Sequence, residues 1–277
     1  MRFVFTLFAF FLVSYLASSQ YLEKTIESFE QHFQIALFID SMEVINHGIT
    51  PVEKRSKMGN VTVIVDGDSF IPQRKDTVLY QYIDFLSAEL SKYPEKYLQN
   101  IGLEAIALGA ELFVGKTKRG GIPNHQTNTI LYEASYAMLY DEAYMANVIH
   151  HELHHFAEQT LEKRERYFKK WEKINPPKFK YGYGGIMQYD PRYQNVDFAS
   201  YNHPKEGFVS NYAMTGAEED RAMIVSLIMN ERERAELLKW LPSDQLLQKK
   251  VKLAIEMLNT LSGTSENYWT EVMTGYQ

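Results

Sequence analysis

None of the 277 residues is a cysteine. That absence removes disulfide frameworks, cysteine nucleophiles, thiolate zinc sites and iron–sulfur clusters together, so any metal must be held by His, Asp or Glu. It weighs most on how the chain is stabilised, because the N-terminus is laid out for export. Met1-Arg2 precede an apolar run from Phe3 that ends in the small residues Ala17-Ser18-Ser19. A basic start, an apolar stretch and a small-residue cleavage site make a secretory leader, expected to span residues 1–19. The run is shorter than the roughly 20 residues that a membrane-spanning helix needs. No second long apolar run follows, so no stable membrane insertion is expected after the leader is removed, and the destination is secreted or periplasmic. A chain exported without disulfides has to be held together by its core, and 45% apolar residues with 14% aromatics supply the material for one. The formal net charge of -6 offers no basic field to a phosphate backbone, so nucleic acid is not an expected partner. The oligomeric state is not written in the sequence.

Hydrophobic spacing organises the remainder. Leu22, Ile26, Phe29, Phe33 and Leu37 recur at helical intervals and predict a helix from Leu22 to Phe38. Asn60 to Val65 alternates like a strand. A second helix is expected from Thr77 to Leu98, followed by strand-like pieces at Leu103 to Leu108 and Glu111 to Gly115. Lys116 to His125 reads as a turn-rich loop with a tight turn at Gly120-Gly121, and Thr127 to Glu133 as a strand. Asp141 to Lys173 is helical in pattern and is ended by Pro176-Pro177. Trp171 to Pro204 is rich in Tyr, Gly, Asn and Pro and reads as irregular. Ala217 to Trp240 is expected as one helix. A last helix should run from Pro242-Ser243 to Leu261, with Ser243 as its cap. Helices and a small mixed sheet come first and helices second, which predicts an α+β fold: an α/β lobe over 20–140 and a mainly helical lobe over 141–277.

One motif carries chemistry. Residues 150–155 read His150-His151-Glu152-Leu153-His154-His155, within which 151–155 fit H-E-x-x-H. On a helix, positions four apart stack on one face, so His151 and His155 can present two imidazoles to one ion. Glu152 flanks that ion and can reach a water bound to it, whose pKa zinc lowers to about 7. His150 and His154 lie off that face and are expected to be structural or solvent-facing. Catalytic zinc usually takes three protein ligands. The candidates downstream are His203, Glu206, Glu218, Glu219 and Asp220. The last three open a helix, where acids also serve simply to complement the dipole.

The segment Gly207-Phe208-Val209-Ser210-Asn211-Tyr212-Ala213 followed by Glu219-Asp220-Arg221-Ala222 resembles the second motif of a zincin group. That group contains the lethal-factor-like and Pro-Pro-endopeptidase-like metallopeptidases and related zinc-binding peptidases of bacteria. There, a Phe-x-Ser-x-Tyr-Ala loop precedes a helix that opens Glu-Asp-x-Ala-Glu. The resemblance covers residues 100–235 and implies a zincin-like fold with the metal helix between two lobes. It implies one catalytic Zn2+ on His151, His155 and Glu219, and Glu152 as the base that activates water. Tyr212, seven residues before Glu219, would donate to the oxyanion, and the strand at 127–133 would be an edge strand receiving a peptide or protein substrate. Two features depart from the pattern. Met223 stands where the group has its second Glu, and 64 residues separate His155 from Glu219, which implies an added loop over the cleft. An exported zinc endopeptidase is the expected function. The alternatives are a zincin that binds without cleaving and a zinc hydrolase of non-peptide bonds.

Three weaker signals have ordinary readings. Tyr181, Tyr183, Tyr189, Tyr193 and Tyr201 either line a substrate groove or pack a long loop onto the domain. Lys163, Arg164, Arg166, Lys169 and Lys170 form a solvated basic face. Asp66 and Asp68 mark a turn.

Overall fold

The computed structural model describes residues 22–39, 61–64, 74–109, 111–114, 117–134, 141–264 and 268–274. The leader, and the turn at Asp66 and Asp68, lie outside the described residues. The architecture is α+β, as the patterning predicts, and the chain divides after Asp141 into two compact units.

In the first unit, helix α1 covers residues 22–33 and buries Leu22, Phe29 and Phe33 along one stripe. It stops before Phe38, the predicted end. Gln34 leaves the right-handed region at φ 55, and Ala36–Phe38 form strand β1. Leu37 fits either periodicity, and pairing with a neighbouring strand decides it. Strands β2 (Val61–Ile64), β3 (Ala105–Gly109), β4 (Glu111–Val114), β5 (Thr117–Arg119), β6 (Gly121–Asn124) and β7 (Thr129–Glu133) follow. They form a four-stranded sheet ordered β1-β3-β7-β6 and a three-stranded sheet ordered β2-β4-β5. The β1–β3 and β3–β7 pairs are parallel and β6–β7 is antiparallel. Every residue of β3 and β7 is buried, which is why both read as continuous runs instead of alternating ones. Leu112 of β4 packs with Ala107 and Leu131 of the larger sheet.

Two expectations are corrected here. The strand at 129–133 is not an edge: β3 and β6 flank it. The edges are β1 and β6, the latter part of the stretch that reads as loop because of its glycines and Pro123. An edge strand is where proline is tolerated in a sheet, since its missing N–H breaks no ladder bond on the open side. Gly120 joins β5 of one sheet to β6 of the other, and its carbonyl accepts from Glu133 N at 2.9 Å. Helix α2 (Arg74–Leu90) buries Tyr82, Ile83, Leu86 and Leu90 and ends well before Leu98. Pro94 cannot continue a helix and restricts the residue before it. A single turn, α3 (Tyr97–Asn100), lies beyond.

The second unit opens with α4 (Glu142–Thr160), which carries the histidine cluster. Helix α5 (Arg164–Ile174) is separate, because Lys163 adopts a left-handed φ of 56. The resulting turn brings Trp171, fully buried, into the core of an otherwise polar helix. Beyond the end of α5 the stretch to Pro204 is irregular as expected, punctuated by short 3-10 turns at Gly185–Tyr189 and Pro191–Tyr193, and a third, Tyr212–Met214, follows it. Helix α6 (Ala217–Met229) is buried over nearly its whole length. It does not run on to Trp240. Asn230 turns the chain, donating from Nδ2 to Ala143 O at 2.9 Å, and α7 (Arg234–Trp240) follows. Helix α8 (Gln245–Ser262) is capped by Asp244 and not by Ser243. Asp244 Oδ1 accepts from Leu247 N at 2.8 Å, while the Ser243 hydroxyl turns back to Trp240 O. A carboxylate cap also complements the helix dipole. Helix α9 (Tyr268–Thr274) extends past the predicted last helix and buries Trp269. Among the described residues no helix is long and apolar enough to cross a membrane.

Candidate metal centre

The i, i+4 spacing on α4 does what it predicts. The rings of His151 and His155 meet edge to face with centroids 4.5 Å apart, and their Nε2 atoms lie 2.9 Å from each other. Glu219, in the first turn of α6, brings Oε2 to 3.0 Å from His151 Nε2 and 3.3 Å from His155 Nε2. These three residues are the group found among the described residues that could hold a metal ion, with donor atoms all within 4.8 Å of one another. Atoms that ligate zinc at about 2.0–2.2 Å stand roughly 3.3 Å apart in a tetrahedron, so the observed triangle fits such an ion. The donor set fits too: two imidazoles and a carboxylate suit zinc.

Electrostatics bind the triangle. Burial works against the charge on Glu219, but hydrogen bonds and charge from His151 and His155 outweigh it and hold the carboxyl well below its ordinary range. Burial likewise opposes charging of His155. Glu219, with Glu152 and Glu158, overcomes that and raises the imidazole to about 9.

The remaining predicted residues are distributed as follows. Glu152 sits on α4 next to His151 and is partly exposed. Tyr212 lies with its ring centroid 5.9 Å from that of His151. Glu218 is exposed and folds back over Gly216, where an added Cβ would collide with its carboxylate, so it does not join the imidazoles. His150 and His154 are both buried, hence structural and not solvent-facing. Burial first, then the charges of Arg221, His155 and His151, keeps His154 well below its ordinary value. His203 is remote in contact terms: it stacks on Trp240 at 5.0 Å, with Nε2 2.9 Å from Asp244 Oδ2. Tyr181 packs the loop, whereas Tyr183 and Tyr189 are exposed.

Asp220, a candidate ligand, instead faces away into the protein. Its Oδ2 accepts from Trp171 Nε1 at 2.8 Å, Tyr181 OH at 2.6 Å and Lys250 Nζ at 2.6 Å. Asp220 and Lys250 are fully buried. Lys250 also donates to Gly207 O at 2.8 Å and stands 3.6 Å above the Phe208 ring. Next to it, Arg221 grips Glu158 of α4 through Nε at 2.6 Å and NH2 at 3.2 Å. The residues that follow the candidate ligand on its helix are thus tied to α4, α5 and α8.

Sequence reasoning missed two participants. Lys250 interrupts an apolar stripe of Leu247, Val251, Ala254 and Leu258 at a core register position, and a lysine there is a legible sign of a buried partner. Gly185 is the other. Its N–H donates to Glu219 Oε1 at 3.1 Å, leaving Oε2 for the imidazoles. A Cβ at this position would collide with the Tyr212 hydroxyl and stand 2.6 Å from Glu219 Oε1. The run of glycines at 182, 184 and 185 was its only local signal.

The fold and this centre define an α+β protein with a His-His-Glu group that could hold a metal ion. The family model described as "Putative zinc-binding metallo-peptidase" matches residues 115–261, more than half of the chain and the whole of the centre. The chain belongs to that family, so zinc is its metal and peptides or proteins are the substrates its class acts on. No curated protein and no solved structure matches it.

Proposed function

We propose that the protein is an exported zinc-dependent endopeptidase of the zincin kind. The observation that carries this is the convergence of His151 Nε2, His155 Nε2 and Glu219 Oε2 within 4.8 Å, from two helices that H-E-x-x-H and Glu-Asp-x-Ala supply. These three side chains would hold zinc, which when bound supplies Lewis acidity toward water and the scissile carbonyl. Glu152, one step along α4, would accept the water's proton during attack on the carbonyl carbon and pass it to the departing amide nitrogen. The Tyr212 hydroxyl would donate to the carbonyl oxygen as charge gathers there. Gly185 would hold Glu219 through one oxygen, so that the other is presented to the metal. Residues such as these act only if fixed in place, and the buried Asp220–Lys250 and Glu158–Arg221 pairs support that. Export rests on the leader pattern at Phe3 to Ala17.

The deciding experiment is metal analysis combined with cleavage of a peptide library by the wild-type chain and Glu152→Gln. Zinc in both with cleavage by the wild type alone is the expected result. Zinc without peptide cleavage would point to a binding zincin or a non-peptide hydrolase, and no zinc would overturn the centre. N-terminal sequencing of protein recovered outside the cytoplasm should begin near residue 20, and an intact Met1 would remove export.

A further inference from the structure

The segment from Tyr181 to Tyr193 meets the metal centre through Gly185, and beside the exposed Arg192 it presents large apolar side chains to solvent. Of the five large apolar side chains exposed among the described residues, four, Tyr183, Ile186, Tyr189 and Val196, fall on or just after it, and the fifth is Tyr144 of α4. Ile186 is the most exposed of them, at 53%. It is the next residue after Gly185, whose backbone touches both Glu219 and the Tyr212 hydroxyl. Gly185–Tyr189 is a 3-10 turn, in which positions three apart eclipse. Ile186 and Tyr189 therefore share one side of the turn. Met187 takes the inner side, with Sδ 3.4 Å from Tyr183 N and against Gly182, where a Cβ would collide with it.

This apolar ridge is held still. Gly182 N donates to Met214 O at 3.1 Å and Gly184 N to Thr215 O at 2.7 Å, stitching the segment to the turn that carries Tyr212. Beyond the ridge, Arg192 donates to Asp190 from Nε at 3.0 Å, and the Tyr183 hydroxyl also donates to Asp190. A wall ordered in advance loses little freedom when something lies on it. Isolated exposed apolar side chains are ordinary on a protein surface. A rigid group of them that starts at the residue following Gly185 is not, because the Gly185 N–H is itself bonded to Glu219 Oε1 at 3.1 Å.

We propose that Ile186, with Tyr189 beside it, is the specificity wall of the site and receives a bulky apolar side chain of an extended peptide adjacent to the bond that is cut. The proposal rests on the peptidase reading and names its substrate class. The occupant is a peptide and not a lipid surface or a second copy, because the ridge is continuous with a centre built for peptides. Contacts made equally before and at the transition state act mainly on KM.

The test uses the zinc-loaded full chain and a synthetic peptide library randomised at every position, with products identified by mass spectrometry. Wild-type products should be enriched in Leu, Ile, Phe or Met at one position next to the cut. Ile186→Ala should lower kcat/KM for those peptides about 10-fold or more, chiefly through KM. Ile186→Asp should move the preference at that position toward Lys and Arg, a change that mere damage to the fold would not produce. Zinc content equal to wild type checks that the centre is intact. The same residue preference in Ile186→Asp as in the wild type would overturn the proposal, as would a wild type with no apolar preference. A binding arm separates this from failure of the peptidase reading. Fluorescein-labelled peptides of alternating Gly and Phe, or Gly and Ser, are titrated onto zinc-loaded Glu152→Gln with and without Ile186→Asp. Tighter binding of the Phe peptide that Ile186→Asp abolishes supports the ridge even if no bond is ever cut. Equal binding of the two peptides rejects it, as does a difference that persists in Ile186→Asp. Dimerisation lost in Ile186→Asp, with no peptide effect, would assign the ridge to a second copy and reject it as well.

Discussion

The two units bury different things. Among the described residues, the first unit fills its interior with apolar side chains: β3 and β7 are buried along their whole lengths, and the charged groups inside are Glu89 and Glu133. The second unit buries Glu158 with Arg221, Asp220 with Lys250, Asp244, Arg234 and three histidines. Charges are costly to bury even when paired, so stability alone does not explain such a concentration. It surrounds the two helices that carry the candidate ligands. One unit is organised by burial of apolar area. The other gives up part of that stability to hold a few polar atoms in fixed positions, which is how functional sites are commonly built.

Changes at the centre should sharpen this contrast most. Glu219→Ala should lose retained zinc and all activity, whereas Glu218→Ala, at an exposed acid one position away, should keep both. Metal analysis after dialysis of the two variants side by side reads the outcome, and an empty Glu218→Ala with a loaded Glu219→Ala would shift the register by one. Next in size, Glu152→Gln should retain zinc and fold but lower kcat about 10²–10⁴-fold, the range of a lost general base. Appreciable turnover with zinc bound would remove Glu152 from that role.

Lys250→Met tests what the buried charges of the second unit contribute. It leaves Asp220 buried without its cation, and losing one member of such a pair costs about 3–5 kcal/mol. Replacing both, as Asp220→Leu/Lys250→Met, should recover much of that stability while zinc affinity stays weakened, because the carboxylate that ties Tyr181 to α6 is gone. Chemical denaturation and zinc titration separate the two readouts, and full recovery of both would make the pair ordinary packing. Tyr212→Phe should cost about 10² in kcat with little change in KM, as for loss of one oxyanion donor, and a normal kcat would return Tyr212 to packing. The smallest effect belongs to the first unit. Ile106→Val, which trims one methyl group from a fully buried strand, should cost about 0.5–1.5 kcal/mol and leave zinc retention unchanged. Zinc lost in that variant would break the division of labour.

What the sequence determined by itself was whatever depends on neighbours along the chain. His151 and His155 share a face because four residues make one helical turn, and that holds before any tertiary contact exists. The stripe on α8 and the α+β order were legible for the same reason. Glu219 could be preferred to Glu218 only through a resemblance, since helix geometry says that one of them can face the imidazoles but not which. Tertiary structure decided the rest. Pairing on both sides made 129–133 an inner strand and turned the Gly- and Pro-marked stretch before it into an edge. Burial of Trp171 and Asn230 broke two helices that read as continuous, and Asp244 displaced Ser243 as a cap because it also meets His203 and Gly207 N. Gly185 reaches Glu219 across 34 residues and Lys250 reaches Asp220 across 30. Such contacts depend on side chains brought together from distant positions, and no local periodicity records which partner a buried charge or a bare backbone N–H will find.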